Sequence, residues 1–484
     1  MLFNSYIFIF IMLPLTLFLY FTFNKYKYFK TSLCMLLGMS LWFYGYFNPT
    51  YLLILCGSIV LNWYFSKAFD KFRYKKIILI SALIFNIGLI FYFKYFDFFI
   101  NNINAIFKTN ISLLNIVLPL GISFFTFQQI SYIMDSYNGK TKDYNFLQYA
   151  VFVSFFPQLV AGPIVLHNEL IPQLGDNSNK TFNYDNFAKG LYKLGVGLFK
   201  KVIVADSLAK IVNLVWEENI VTVTSPMVWI ASLAYTFQIY YDFSGYSDMA
   251  IGIGDMFNLK LPINFNSPYK ACSIGEFWSR WHITLSRFLR QYIYYPLGGN
   301  KKGEIRTYYN LFIVFLVSGI WHGANWTFII WGILHGIASI IQRMFKKTKI
   351  ALPKCISWGI TFYFINLAWI FFRAPSVEKA ILFVKKLIFI DEISLSINFM
   401  NNYVYDMIVL FIYRLNLYGI PQDFFAIIIF MFAFIVIIFL TVKLKNIHEK
   451  VFVPSIKSVL ITTFCYTICI IYFSKISEFL YFNF

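Results

Sequence analysis

The sequence predicts an all-α polytopic membrane protein, and three observations carry that prediction. Of its 484 residues 59% are hydrophobic and only 13% charged, whereas a soluble domain is about a quarter charged. Runs such as AIIIFMFAFIVIIFLTV (426–442) and ISLLNIVLPLGISFFTF (111–127) approach the roughly 20 residues that cross about 30 Å of hydrocarbon. Unpaired backbone is costly in lipid, so such runs are expected to be helices. Lys plus Arg outnumber Asp plus Glu by 41 to 22, for a net charge of +19. The positive charges fall in short loops between apolar runs, where they set topology and meet anionic headgroups; they do not point to nucleic acid.

Taken in order, residues 5–23 lack a basic leader and a small-residue cleavage site, and read as a retained first span. NKYKYFK (24–30) and SKAFDKFRYKK (66–76) are basic, while the turn FNPT between them carries no charge. This alternation predicts both basic loops in the cytoplasm and the N-terminus outside. Further candidate spans cover 77–95, 112–133, 147–165, 190–213, 226–252, 308–321, 325–343, 355–372, 424–442 and 458–481. Several in the middle are short or interrupted by Gly and Pro, and some of these are expected to be re-entrant. Residues 374–423 have mixed polarity and read as surface helices. The basic KLKNIHEK (443–450) belongs in the cytoplasm, which sends the last helix outward and leaves Phe484 outside. An even count of about ten to twelve crossings follows. With no repeat or linker, residues 1–484 form one domain. The six cysteines show no CxxC and no metal-ligand spacing, so neither a disulfide framework nor a metal site is expected.

Residues 276–300, EFWSRWHITLSRFLRQYIYYPLGGN, carry an aromatic stripe at helical spacing: Trp278, Trp281, Leu285, Phe288, Tyr292 and Tyr295. Arg280, Arg287 and Gln291 lie opposite, the pattern of a helix lying in the membrane interface. His282 sits on the flank of the stripe, near Ser286, and can face the interior. Its plain alternative is a hydrogen bond to a carbonyl where this helix meets the bundle.

The segment VSGIWHGANWTFIIWGILHG (317–336) holds two of the five histidines. An ionisable group inside a bilayer is costly and is a functional candidate by default. Trp321 and Trp326 flank His322, and Gly319 and Gly323 admit close approach. Such a setting would hold the imidazole neutral, the form that accepts a proton. Packing is the competing reading for His322 and the favoured one for His335. His167 and His448 sit in loop-like sequence and carry no signal.

These two segments together resemble the membrane-bound O-acyltransferase family, in particular its bacterial branch that O-acetylates extracytoplasmic polysaccharides. The resemblance extends through LPLGISFFTFQQISYIMD (118–135), FFPQLVAGPI (155–164) and YYDFSGYSDMAIGIGDMFNLKLPINFNSPY (240–269), so it covers about 118–340; residues 1–110 and 345–484 match only in hydropathy. It implies transmembrane, re-entrant and interfacial helices around a central channel open to both faces. Position by position, His322 matches the family's active-site histidine and His282 its second site position. Gly275 stands where many relatives carry Arg, and Phe288 where many carry Trp.

Acyl transfer from a thioester to a hydroxyl needs a base for the hydroxyl proton and donors for the developing oxyanion. His322 is the candidate base; His282, Trp326 Nε1 and Asn325 are alternative donors. Trp321, Ser286, Asp242 and Asp248 are further substrate or channel candidates. Asp242, Asp248 and Asp255 line the channel, orient a histidine or, on the favoured reading, pair with Arg280, Arg287 or Arg290. Gln128, Gln129 and Asp135 are weaker candidates. The resemblance implies acetyl-CoA as a cytoplasmic donor substrate with no bound cofactor, and Arg280, Arg287 and Arg290 are candidates for its phosphates; the same arginines also satisfy the positive-inside rule. It implies a polysaccharide acceptor reached through a separate periplasmic enzyme of the SGNH type, in a bacterial inner membrane. Peptidoglycan is the first expectation for the acceptor, because abundant Phe, Ile, Lys, Asn and Tyr suggest an AT-rich genome. An alginate-like polymer and D-alanylation of teichoic acid are the enzymatic alternatives; a transporter or a silent scaffold is the non-enzymatic one.

Overall fold

The computed structural model describes residues 1–141, 144–217, 223–348, 350–389, 422–449, 451–473 and 479–480, with 422–431 and 433 described by backbone alone. Helices are the only regular elements among these residues. The chain begins α1 (Leu13–Lys25), α2 (Phe29–Gly45), α3 (Thr50–Lys71), α4 (Lys75–Ile90) and α5 (Phe96–Phe107). A π-helical turn, Phe91–Tyr95, joins α4 to α5, so that Lys75–Phe107 runs as one 33-residue span.

Next come α6 (Ile122–Tyr137), the short α7 (Phe146–Ser154) and α8 (Phe156–Leu159), and α9 (His167–Gly175). At about 1.5 Å per residue neither α7 nor α8 can cross a bilayer, as the Pro-interrupted sequence leads one to expect. The run 111–127 is not one helix: residues 108–118 are non-helical, and Asp97 accepts from Leu114 and Asn115 N–H at 2.8 and 2.9 Å. Pro119 disfavours helix at the residue before it, so α6 starts only after the turn at Gly121.

The centre is built from α10 (Tyr184–Leu198), α11 (Asp206–Glu217) and α12 (Ser225–Met256). α12 has 32 residues, nearly all buried, and packs against α10, α11, α8, α17 (Lys354–Arg373) and α18 (Val377–Ile388). Glycines let α10 and α12 touch backbone to backbone: a Cβ at Gly190 would meet the Gly252 oxygen at 2.5 Å, and one at Gly197 the Gly245 oxygen at 2.7 Å. Small residues two turns apart on both partners are the membrane solution for close helix packing.

α13 (Ile274–Arg280) and α14 (Ile283–Leu289) occupy the stretch predicted as a single interfacial helix. His282 breaks it with φ 43° and ψ 53°, and Trp278, Trp281, Leu285 and Phe288 are buried in the bundle, not laid on lipid. α15 (Glu304–His322), α16 (Trp326–Phe345), α17 and α18 follow, then α19 (Gln422–Lys443) and α20 (Ile456–Tyr472). Among the described residues, five helical stretches are long and apolar enough to span by themselves: Phe8–Lys25, Thr50–Lys71, Lys75–Phe107, Trp326–Thr348 and Lys354–Arg373. The protein is an all-α, multi-pass membrane protein. Of the predicted surface helices in 374–423, α18 is described; residues 390–421 and Phe484 lie outside the described residues.

Candidate active site

His322 is the last residue of α15, and the last four carbonyls of a helix have no intrahelical partners. Lys94, in the π turn, donates to the Trp321 and His322 oxygens at 2.8 and 2.9 Å, and Tyr95 OH donates to the Ile320 oxygen at 2.5 Å. A cation on a helix C-terminus is favourable, and the π turn is what swings Lys94 onto it. Gly319 packs against α16 so closely that a Cβ would stand 2.5 Å from the Phe328 oxygen, which fixes the end of α15 between α16 and the Lys94 span. The His322 ring is 3% exposed, boxed by Trp321, Trp331 and Phe372 at centroid distances of 4.9, 5.0 and 5.1 Å.

His282 arrives from the other side. Its left-handed backbone turns the ring inward between α13 and α14, fully buried, 4.8 Å from the Phe243 ring and 6.2 Å from Trp321. Trp321 is thus a shared wall for both imidazoles, and it stacks in turn on Phe127 at 5.0 Å. Asn264 Oδ1 faces His282 Nδ1 at 3.1 Å.

Two openings approach this cluster from opposite ends of α15. A cavity of about 350 Å³ at the Glu304 end is lined by Arg290, Arg343, Lys346, Gln342, Ser286 and Ser318. Its serines lie one turn from each histidine: Ser286 after His282, Ser318 before His322. Among the described residues, Ser318 Oγ and Trp321 Nε1 are buried without a hydrogen-bond partner. At the other end, a vestibule of about 360 Å³ is lined by Lys94, Asp97, Asn325 and Phe328. Between vestibule and histidines lies a chamber of about 40 Å³ bordered by Lys94, Ser123, Phe124, Trp321 and His322.

Several residues named from sequence lie elsewhere or are engaged. Trp326 is 52% exposed and spends Nε1 on Asn102 Oδ1 at 2.9 Å, away from the histidine box. Asn325 caps α16 by accepting from Thr327 N at 3.1 Å, and its Nδ2 donates to the Pro375 oxygen. Of the arginines, Arg280 pairs with Glu276 at 3.0 Å and Arg287 forks onto Glu169 at 2.5 and 2.8 Å. Arg290 alone of the three lines the Glu304-end cavity. The carboxylates of α12 are paired with lysines, not with those arginines: Asp242 with Lys201 at 2.7 Å, Asp248 with Lys200 at 2.6 Å and His448 at 2.7 Å, Asp255 with Lys193 at 2.7 Å. A further π-helical stretch, Phe199–Ala205, carries Lys200 and Lys201. His335 is fully buried and accepts from Trp278 Nε1 at 3.2 Å, a packing role.

Sequence reasoning missed other groups. His167 is not a loop residue without signal: it is buried against Asp135 at 3.1 Å, whose carboxylate also takes Tyr292 OH at 2.8 Å and Lys140 at 3.0 Å. Lys94 was detectable as a lone cation in the aromatic run FYFKYF. Asn264 had no local signal, because its partner lies 18 residues on, across a loop.

The pattern of the membrane-bound O-acyltransferase family matches residues 136–376. A peptidoglycan O-acetyltransferase of Helicobacter pylori is 48% identical over 388 residues, 74% of this chain and 73% of that protein. A probable alginate O-acetylase of Pseudomonas aeruginosa is 39% identical over 72% of this chain and 68% of that protein. A teichoic acid D-alanyltransferase of Bacillus subtilis is 28% identical over 48% of this chain and 61% of that protein.

Proposed function

Since the chain belongs to the membrane-bound O-acyltransferase family and is an acyltransferase, we propose that it moves acetyl groups across the bacterial inner membrane for O-acetylation of peptidoglycan. Acetyl-CoA, or another cytoplasmic thioester, enters at the Glu304 end; the acceptor hydroxyl approaches from the vestibule at the His322 end, on the periplasmic side with both chain termini. A separate periplasmic enzyme of the SGNH type then places the group on the polymer. The observation that carries this reading is a pair of openings toward opposite ends of α15: a basic cavity lined by Ser286 and Ser318, one turn from His282 and His322, and a vestibule that shares Lys94 with the small chamber bordering His322. Identity favours peptidoglycan over alginate as acceptor, 48% against 39% in the relatives compared.

Within this reading His322 takes the hydroxyl proton as the oxygen attacks the thioester carbonyl. The oxyanion needs N–H or O–H donors in a dry site. With Trp326 and Asn325 engaged elsewhere, Trp321 Nε1, which has no partner among the described residues, fills that role. Arg290, Arg343 and Lys346 attract the donor phosphates at the cavity mouth. Asp242 and Asp248 neutralise lysines inside the bundle and take no part in the chemistry.

Replacing His322 with Ala tests the proposal. The variant is expected to insert and fold, and to lose acetyl transfer from labelled acetyl-CoA and O-acetyl ester on the wall polymer. Undiminished acetylation would favour a transporter or scaffold, and activity only with a carrier-protein thioester would move the donor assignment to the D-alanyl type.

A further inference from the structure

On the acyl-transfer reading above, Asn264 has a role at the histidine pair. Asn264 lies in the loop between α12 and α13 and is fully buried. Its side-chain oxygen receives three contacts: Thr284 N–H at 3.3 Å, Thr284 Oγ1 at 3.0 Å and His282 Nδ1 at 3.1 Å. A backbone N–H can only donate, so the atom it meets is the amide oxygen and not the nitrogen. The Thr284 hydroxyl accepts from Ile164 N–H at 2.9 Å, which leaves its own hydrogen for Asn264. The amide Nδ2 is turned to Ser247 Oγ at 3.4 Å. Main-chain bonding repeats the arrangement, with Ile283 N–H donating to the Asn264 carbonyl at 3.0 Å.

An oxygen acceptor facing Nδ1 fixes the proton inventory of the ring. Neutral imidazole carries one N–H; here it is Nδ1–H, and Nε2 holds the lone pair. A ring in that tautomer cannot donate to an oxyanion, which removes the donor role that sequence left open for His282. We infer that Asn264 is a positioning residue that makes His282 Nε2 the proton acceptor on the donor-cavity side of the histidine pair.

The two histidines then divide the proton's path by position. His322 borders the chamber toward the vestibule, and His282 stands one turn from Ser286 in the Glu304-end cavity. As the hydroxyl oxygen forms its bond to the acyl carbon, the hydroxyl proton goes to His322. It passes to His282 Nε2, and from there to the sulfur as the carbon–sulfur bond breaks with its electron pair. Ester and thiol leave, and both rings return neutral. Throughout, Asn264 Oδ1 holds Nδ1–H, so the proton that enters at Nε2 is the one that leaves there.

The test uses the full-length enzyme in detergent or vesicles with acetyl-CoA as donor, reading thiol release, ester formation and melting temperature. Asn264→Leu removes the acceptor at similar volume; kcat is expected to fall about 10²–10³-fold, the scale of a lost proton-transfer group, with KM for acetyl-CoA changed less than about threefold. Asn264→Asp keeps an acceptor oxygen at the same place and is expected to retain kcat within about tenfold of wild type. Wild-type kcat in Asn264→Leu overturns the inference. So does a folded Asn264→Asp that has lost kcat 100-fold, whether or not the Leu variant inserts. If His322→Ala is dead while Asn264→Leu is normal, only the Asn264 role falls; if His322→Ala is active, the acyl-transfer reading falls with it.

Discussion

Lys94 donates from its ammonium to the main-chain oxygen of His322 at 2.9 Å, joining residues 228 positions apart in the chain. The catalytic candidate is therefore held by its backbone from one helix while its ring is boxed by others. Replacing Lys94 with Met keeps the stem and deletes both hydrogen bonds to the end of α15. Leaving buried acceptors unmet costs about 1–3 kcal/mol, so a clear drop in melting temperature is expected in detergent, with acetyl transfer reduced. Lys94→Arg, which keeps donors and charge, should recover part of both. An unchanged melting curve for Lys94→Met would show that the bonds do not hold the helix end.

Gly319 tests the fit of α15 on α16. An added methyl would stand 2.5 Å from the Phe328 oxygen and 2.9 Å from the Gly332 Cα, both backbone atoms that cannot rotate away. Gly319→Ala should force the helices apart at a cost of about 1–3 kcal/mol and displace His322, lowering activity more than stability alone explains. Gly359→Ala in α17 meets nothing within 4 Å and should leave melting unchanged or raise it.

Three arginines shared one expectation from sequence, and the structure separates them. Arg290→Gln is expected to raise KM for acetyl-CoA several-fold with kcat little altered, since it lines the basic cavity. Arg280→Gln, already paired with Glu276, should leave that KM near wild type. Equal effects from both would mean the cavity is not where the donor's phosphates sit.

Ser318 offers a cleaner probe because its hydroxyl is buried, 1% exposed, and has no partner to lose among the described residues. Ser318→Ala should therefore leave thermal stability unchanged. If the donor's carbonyl or sulfur completes that bond, kcat/KM for acetyl-CoA should fall about tenfold, close to the roughly 1.4 kcal/mol of one hydrogen bond. Full activity would place the thioester elsewhere in the cavity.

The elements most legible in the sequence were those with dense local signal. Apolar runs of span length, the aromatic stripe from Trp278, and a histidine in a membrane wall are all written within a few turns of chain. What escaped depends on contacts between distant segments. The break at His282 arises because Asn264 and its neighbours supply the bonds that a left-handed residue forfeits in a helix, and no pattern in residues 276–300 announces it. Likewise, Asp242 and Asp248 were expected to pair with Arg280, Arg287 or Arg290. The lysines that neutralise them reach α12 only because a π stretch adds a residue to the α10–α11 helix and turns Lys200 and Lys201 toward the bundle. Trp326 Nε1 is turned away from the histidine box for a related reason: the residue opens α16, and its indole N–H donates to Asn102.

The ion pairs between α10–α11 and α12 also constrain biogenesis. A helix carrying three aspartates pays about 2.5–3.5 kcal/mol for each one placed mid-bilayer alone, and the preceding segment brings Lys193 and Lys200, whose carboxylate partners sit on α12. Neither hairpin arm is a competent solo passenger through a lateral gate. The two must leave the insertion machinery as a docked unit, so a charge-reversing change on one arm should be rescued in membrane yield by the opposite reversal on the other.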